Sequence, residues 1–293
     1  MQSLPPLPEW VKLEHKVAQI LTQQEIHGWF FDESSARELE SALRTEYEAI
    51  TEVLRKRFPY VAGAEFTPKR NNGKQGYIEG STFTRLKEFN PVSRDHISWI
   101  LQIHCGWTPE LLTSTGKAVI DETVLREIGT DIALKFLTLL DLTKQLGMIS
   151  EGVNAWQKLC TKSRIHHYCA TNTATFRCHH RTPNLGQVPS DERFRRLFIA
   201  TPGQRMVAAD LSGIELRMLA HYLARYDGGR YAEILTTGDI HQTNADKIGI
   251  TRRQVKTVTY AFLYGCGDIK LGHSYDQLLS EESAAQKGAD IRK

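Results

Sequence analysis

The 293 residues, 41% hydrophobic, 9% aromatic and 24% charged, suffice for one large domain or two ordinary ones with a sizeable core. Those fractions exclude a disordered or fibrous chain. No apolar run approaches the ~20 residues of a membrane span, and the start, MQSLPPLPEW, has neither the basic region nor the apolar core of a signal peptide. A soluble intracellular setting with no membrane partner is therefore expected. The five cysteines, an odd number without a C-x-x-C pair, are expected as free thiols. Net charge is only +3, yet residues 161–210 hold eight basic side chains (Lys162, Arg164, Arg177, Arg181, Arg193, Arg195, Arg196 and Arg205) against three acidic ones. Such a segment suits either a polyanion or an ordinary solvated face.

In chain order, Leu13, Val17, Ile20 and Leu21 recur at helical spacing and predict a helix to Ile26, ended by Gly28. Ser34 or Ser35 is the expected cap of a second helix, with Leu39, Leu43, Tyr47, Ile50 and Leu54 as its stripe and Pro59 after it. Residues 60–90 lose periodicity and read as a loop insertion around NNGKQG. Helical patterning resumes from Ser93 to His104, and one long helix is predicted from about Glu122 to Leu146. Beyond Trp156 the texture turns β-like.

MVAAD (206–210) reads as a short buried strand that delivers Asp210 at its end. Ser212-Gly213-Ile214-Glu215 has the form of a capping box opening a helix through Ala224, and Thr251 caps another that ends at Gly265. In that last helix Arg252, Lys256, Tyr260 and Tyr264 stand four residues apart. Each step of four advances only about 40°, so two cations and an aromatic hydroxyl share one face. That face suits a nucleoside triphosphate, and equally an amphipathic helix with a solvated basic edge. Asp210 is a candidate Mg²⁺ ligand or a plain carboxylate near a helix start. His241 is either a phosphate donor or a core histidine. His166, His167, Cys169, Cys178, His179 and His180 match none of the common zinc spacings, and no zinc is expected.

VAADLSGIELRMLAH resembles motif A, and RRQVKTVTYAFLYG motif B, of family A (polymerase I-like) DNA polymerases. TPNLGQVPS, RRLFIATPGQRMVAAD, NPVSRDHI and RYDGGRYAEILTTGDIH are similar to further segments of that family, the last two to the replicative polymerases of short-tailed bacteriophages. The resemblance runs from about Leu13 to Tyr264. It implies an α+β right-hand polymerase fold fragment: a helical thumb-like region over 1–155, a partial palm over 156–240 and the start of the fingers over 241–293. It further implies that Asp210 and the Leu211 carbonyl bind the two catalytic Mg²⁺ ions. Glu215 would exclude a ribose 2′-hydroxyl with the help of the Tyr260 hydroxyl. Arg252, Lys256 and His241 would hold the triphosphate, with Lys256 also protonating the pyrophosphate, while Tyr260 and Tyr264 meet the sugar and the templating base. Arg177, Asn184 and Gln187 would contact DNA.

The resemblance implies primer-template DNA and deoxynucleoside triphosphates as partners, and the cytoplasm of a bacterial host if the chain is phage-encoded. Phe176 stands where the family usually has glycine. The 60–90 insertion is shorter than the basic thumb insertion of some phage relatives, so a processivity partner is not implied. No His-Asp-Glu run of motif C occurs after Gly265, and no exonuclease region precedes Leu13. The chain is accordingly expected to be incomplete and inactive alone, either a fragment or one half of a split polymerase completed by a C-terminal half. A non-catalytic DNA-binding accessory protein and a single-subunit RNA polymerase are the alternatives.

Overall fold

A computed structural model describes residues 6–174, 177–277 and 279–292; Phe176 lies outside them. Two compact units are present, Met1–Met206 and Val207–Lys293. The expected boundary at 155/156 falls inside the first unit and that at 240/241 inside the second.

The first unit begins with α1 (Glu9–His27), β1 (Trp29–Phe31) and α2 (Glu33–Arg57). α1 forms where its spacing predicts and stops at Gly28 (φ 67°), though no α1 residue is fully buried. The α2 cap is Asp32, not Ser34 or Ser35. Its Oδ1 accepts from the Ser35 N–H at 3.0 Å and its Oδ2 from the Ser35 hydroxyl at 2.7 Å, because an aspartate directly before the helix reaches those donors first. Residues 60–90 are a hairpin and not a loop: β2 (Tyr60–Phe66) and β3 (Phe83–Glu88) pair antiparallel. Their side chains are mostly exposed, which erases hydrophobic alternation, while Phe66, Tyr77 and Phe83 stack together near the turn.

α3 (Arg94–Cys105) follows Ser93 as expected. The long predicted helix is two helices, α4 (Glu122–Ile128) and α5 (Asp131–Leu146). Gly129, in the left-handed conformation at φ 62°, ends the first, and the Thr130 hydroxyl accepts from the Ala133 N–H to start the second. Leu54, Phe58, Phe89, Ile97, Leu101 and Phe136 centre one core between α2, α3, β2 and α5. A second core, around Phe31, Leu43, Leu146, Trp156 and Phe194, includes α6 (Trp156–Leu159).

That second core underlies a small antiparallel sheet of β4 (Cys160–Thr161), β5 (Arg164–Ile165), β1 and β8 (Phe198–Ile199), in the order β4-β5-β1-β8. A separate hairpin pairs β6 (Tyr168–Ala170) with β7 (His179–Arg181), and a short helix α7 (Glu192–Arg195) precedes β8.

The second unit is helical: α8 (Ile214–Asp227), α9 (Arg230–Thr237), α10 (Ile240–Ile248), α11 (Arg252–Leu263), α12 (Asp268–Tyr275) and α13 (Glu281–Arg292). MVAAD is not a buried strand. Residues 204–211 are exposed, Val207 is 90% accessible, and no strand among the described residues pairs with them. An apolar run becomes a buried strand only with ladder partners on either side. The capping box at Ser212 does not form either: Gly213 (φ 57°) is the N-cap of α8, without a side-chain cap bond. The five cysteines are free thiols. No helix among the described residues is long and apolar enough to cross a membrane.

Candidate nucleotide-binding site

α11 opens with a complete capping box. The Thr251 hydroxyl accepts from the Gln254 N–H at 3.3 Å, and Gln254 Oε1 accepts from the Thr251 N–H at 3.0 Å. Val255 and Val258 are buried, which turns the Arg252–Lys256–Tyr260 side away from the core of the unit. Arg252 and Lys256 are exposed and Tyr260 is half-buried. Gln254 Nε2 also donates to the Tyr275 carbonyl at 3.1 Å, tying α11 to the end of α12.

The start of α10 faces the same residues. Asp239 caps α10, its Oδ1 accepting from the backbone N–H groups of His241 (3.0 Å) and Gln242 (3.1 Å). Its Oδ2 accepts from Arg252 Nε at 2.8 Å. One carboxylate therefore starts one helix and aims a guanidinium of the next. The Arg252 bond, and then the Gln242 N–H, hold the Asp239 carboxyl below the usual carboxylate range. The sequence reading missed Asp239, although its place between Gly238 and the first helical residue is a cap signal.

The His241 ring lies 6.3 Å from the Tyr260 ring, tilted by 45°. Burial first, and then the Arg252 guanidinium, push the His241 pKa below the usual histidine range; Asp239 opposes this and Lys256 adds to it. The ring is thus neutral near pH 7, and its Nδ1 is buried with no hydrogen-bond partner among the described residues. Burial, and then the neighbouring Tyr260, push the Tyr231 phenol of α9 up. The structure therefore gathers His241, Arg252, Lys256 and Tyr260, with Asp239 beneath and Tyr231 beside them. Two cations and a neutral imidazole next to an aromatic ring form a surface for a polyphosphate joined to a sugar.

Glu215 stands in the first turn of α8. The hydroxyl it accepts, at 3.2 Å, belongs to Tyr264 at the end of α11 and not to Tyr260, one turn earlier. Tyr260 instead packs toward His241. Asp210 and Leu211 lie on the exposed irregular segment before α8, and no ion pair among the described residues engages the Asp210 carboxylate.

In the first unit, Asn184 Oδ1 accepts from the Gly186 N–H at 3.1 Å and so starts the short turn Leu185–Gln187; Asn184 and Gln187 are exposed. Arg177 is exposed, and its carbonyl accepts from the Thr173 hydroxyl. Part of the basic 161–210 segment serves the fold. Arg164 donates to the His27 and Gly28 carbonyls and to Thr201 Oγ, and Arg193 pairs with Asp191 at 2.6 Å.

Cys169 and His180 stand opposite each other across β6 and β7, and His167 stacks on His180 with ring centroids 5.3 Å apart. Burial, and then His180, hold the His167 pKa below the usual histidine range.

Residues 68–290 match the family model described as DNA polymerase family A, and the chain belongs to that family. It is 32% identical to the DNA-directed DNA polymerase of Escherichia phage T7 and 33% identical to that of Enterobacteria phage T3, each match covering 90% of this chain and 46% of the relative. It is also 36% identical, over 53% of its length, to a DNA polymerase I of Chloroflexus aurantiacus, of which that match covers 18%. A solved structure of similar fold, "POL domain of Pol1 from M. smegmatis complex with DNA primer-template and dNTP", aligns with a TM-score of 0.66 at 21% identity, over 93% of this chain and 45% of that one. The chain thus spans less than half the length of the phage relatives it matches, and its mixed helices and small sheets are those of a polymerase-domain fragment.

Proposed function

We propose that this chain is the thumb-like region (1–155), partial palm (156–240) and first part of the fingers (241–293) of a template-directed DNA polymerase. In this reading it holds an incoming deoxynucleoside triphosphate against a primer 3′ end in DNA replication, in the cytoplasm of a bacterial host if it is phage-encoded. The observation that carries it is the His241–Arg252–Lys256–Tyr260 cluster set on Asp239. Family membership and the primer-template and dNTP of the M. smegmatis structure support it.

Arg252 and Lys256 neutralise the triphosphate, and His241 adds a hydrogen bond to a phosphate oxygen. Tyr260 supports the sugar, and Tyr264 stands toward the templating base. Glu215, held by the Tyr264 hydroxyl, occupies the space a ribose 2′-hydroxyl would need. Lys256 keeps a proton beside the oxygen that leaves with pyrophosphate, where negative charge develops. Arg177, Asn184 and Gln187 contact the primer-template. The Asp210 carboxylate and the Leu211 carbonyl are hard oxygen donors on an exposed segment, and they fit Mg²⁺. When bound, Mg²⁺ activates the primer hydroxyl and offsets phosphate charge.

Two-metal catalysis needs a second carboxylate, and no His-Asp-Glu run occurs in these 293 residues. In this reading the 293 residues bind DNA and nucleotide, and a C-terminal polymerase half supplies the carboxylate that primer extension needs. Primer extension tests this with the chain alone, with Asp210→Asn, and with an added C-terminal palm segment from a phage relative. Extension only in the mixture, abolished by Asp210→Asn, is expected. Robust Mg²⁺-dependent extension by the lone chain overturns the need for a C-terminal half. DNA binding that never becomes Asp210-dependent extension favours an accessory role.

A further inference from the structure

We infer that the β6–β7 hairpin is a structural zinc site with His167, Cys169, Cys178 and His180 as its four ligands. The inference stands apart from the nucleotide site and from the Mg²⁺ ligands, and it reverses the expectation drawn from linear spacing.

Residues two apart on a strand share a face. His167 and Cys169 therefore share one side of β6 and the residue before it, while Cys178 and His180 share one side of β7 and the residue before it. The register sets Cys169 directly opposite His180, which brings the two pairs onto one face of the hairpin. One donor atom each from His167, Cys169 and His180 lies within 4.8 Å of the others. Cys178, exposed and two residues before His180, is the proposed fourth ligand and lies outside the convergent trio. It is near enough to Cys169 to add to the burial that raises that thiol's pKa. Donors around a tetrahedral zinc, with bonds of ~2.0–2.3 Å, sit ~3.3–3.8 Å apart, so the His167–Cys169–His180 trio needs to contract by only about 1 Å, and the exposed Cys178 side chain has to swing in to close the site.

His167 is 2% and Cys169 8% exposed, and the Nδ1 atoms of His167 and His180 are buried without a hydrogen-bond partner among the described residues. Buried polar atoms are normally satisfied, and bound metal supplies what these lack. Two thiolates and two imidazoles select zinc over the hard Mg²⁺, and a closed four-residue set marks a structural site, not a catalytic one. The hairpin pairs only three residues per strand, a ladder too short to hold itself in water, so a metal staple has a clear physical role. Arg177 immediately precedes Cys178; if it contacts DNA as proposed above, the metal would fix that contact.

The test is titration of the reduced, metal-stripped 293-residue chain with Zn²⁺ in excess Mg²⁺, with Co²⁺ as the spectroscopic probe. One equivalent of Zn²⁺ is expected, with a tetrahedral Co²⁺ spectrum carrying thiolate charge-transfer absorption. Cys169→Ser and the exposed-site variant Cys178→Ser should each weaken Zn²⁺ binding by ~100-fold or more, since even changes outside the ligand set cost 10–100-fold. His179→Gln, on the opposite face of β7, should leave it unchanged. Because Cys178 is exposed, its variant keeps the fold and the test stays decisive if Cys169→Ser misfolds. Failure to bind Zn²⁺ stoichiometrically, a Co²⁺ spectrum without sulfur ligation, affinity untouched by Cys178→Ser, or a Cys169–Cys178 disulfide in protein taken from cells overturns the inference.

Discussion

The Tyr264 hydroxyl donates to Glu215 Oε1 across 3.2 Å and joins the end of α11 to the first turn of α8. Tyr264 is 51% exposed and Glu215 half-buried, so the bond is partly shared with water. A double-mutant cycle of Tyr264→Phe and Glu215→Gln, read by urea unfolding, should give a coupling of about 1 kcal/mol or less. A coupling indistinguishable from zero would mean that the pair does not join the two helices. In an enzyme completed by its C-terminal half, Glu215→Ala should relax discrimination against ribonucleotides more than Tyr264→Phe does, as measured by single-nucleotide incorporation.

Lys256 and Arg252 lie one helical turn apart yet should fail differently in that completed enzyme. Lys256 meets charge that develops as pyrophosphate leaves, so Lys256→Ala should depress the maximal rate on the order of 100-fold or more. Arg252→Ala removes a contact to phosphates already charged in the bound nucleotide and also strands Asp239, so more of its damage should appear in nucleotide affinity. Single-turnover extension across nucleotide concentrations separates the two. A Lys256→Ala enzyme with an intact maximal rate would return the helix face to a plain basic edge.

His241 makes stability depend on pH. Its folded pKa lies below the unfolded value of ~6.5, so the unfolded chain takes up the proton first as the solution acidifies. The resulting stabilisation is complete above ~6.5 and is lost as pH falls through the folded pKa. His167, also lowered, acts in the same direction. Urea midpoints should therefore fall between about pH 7.5 and 5, and His241→Gln should flatten part of that slope. An unchanged slope would assign the dependence to other groups.

α12 and α13 meet backbone to backbone. A Cβ at Gly288 would overlap the Asp268 carbonyl oxygen, and one at Gly272 the Ala284 carbonyl oxygen. Gly288→Ala must push the helices apart, at a cost of about 1–3 kcal/mol. Gly73→Ala, where a Cβ meets nothing within 4 Å, is the control. Hydrogen exchange should show lost amide protection in both helices for Gly288→Ala alone.

Binding to primer-template DNA should weaken steeply with salt, because the basic segment releases counterions from phosphates. Arg177→Ala should lower the log–log slope by ~1. Arg164→Ala should instead lower the melting temperature with little change in slope, since that guanidinium is engaged by His27, Gly28 and Thr201. Equal slopes for wild type and Arg177→Ala would remove Arg177 from the DNA contact.

What the sequence determined by itself is what repeats within one or two helical turns. The four-residue spacing of Arg252, Lys256 and Tyr260, the Thr251 cap, the stop at Gly28 and the order of the family motifs were all legible, because their physics lies within a few consecutive residues. Tertiary structure decided everything that depends on a distant partner. An apolar MVAAD is a strand only if a ladder forms beside it, and among the described residues none does. The 60–90 hairpin is not legible in the sequence because its backbone ladder and aromatic stack leave no alternation there. Tyr264 rather than Tyr260 reaches Glu215 because the arrangement of α8 and α11 selects which turn is near. The cysteines and histidines of 167–180 converge only through the register of β6 on β7, since a one-residue slip would send each side chain to the other face.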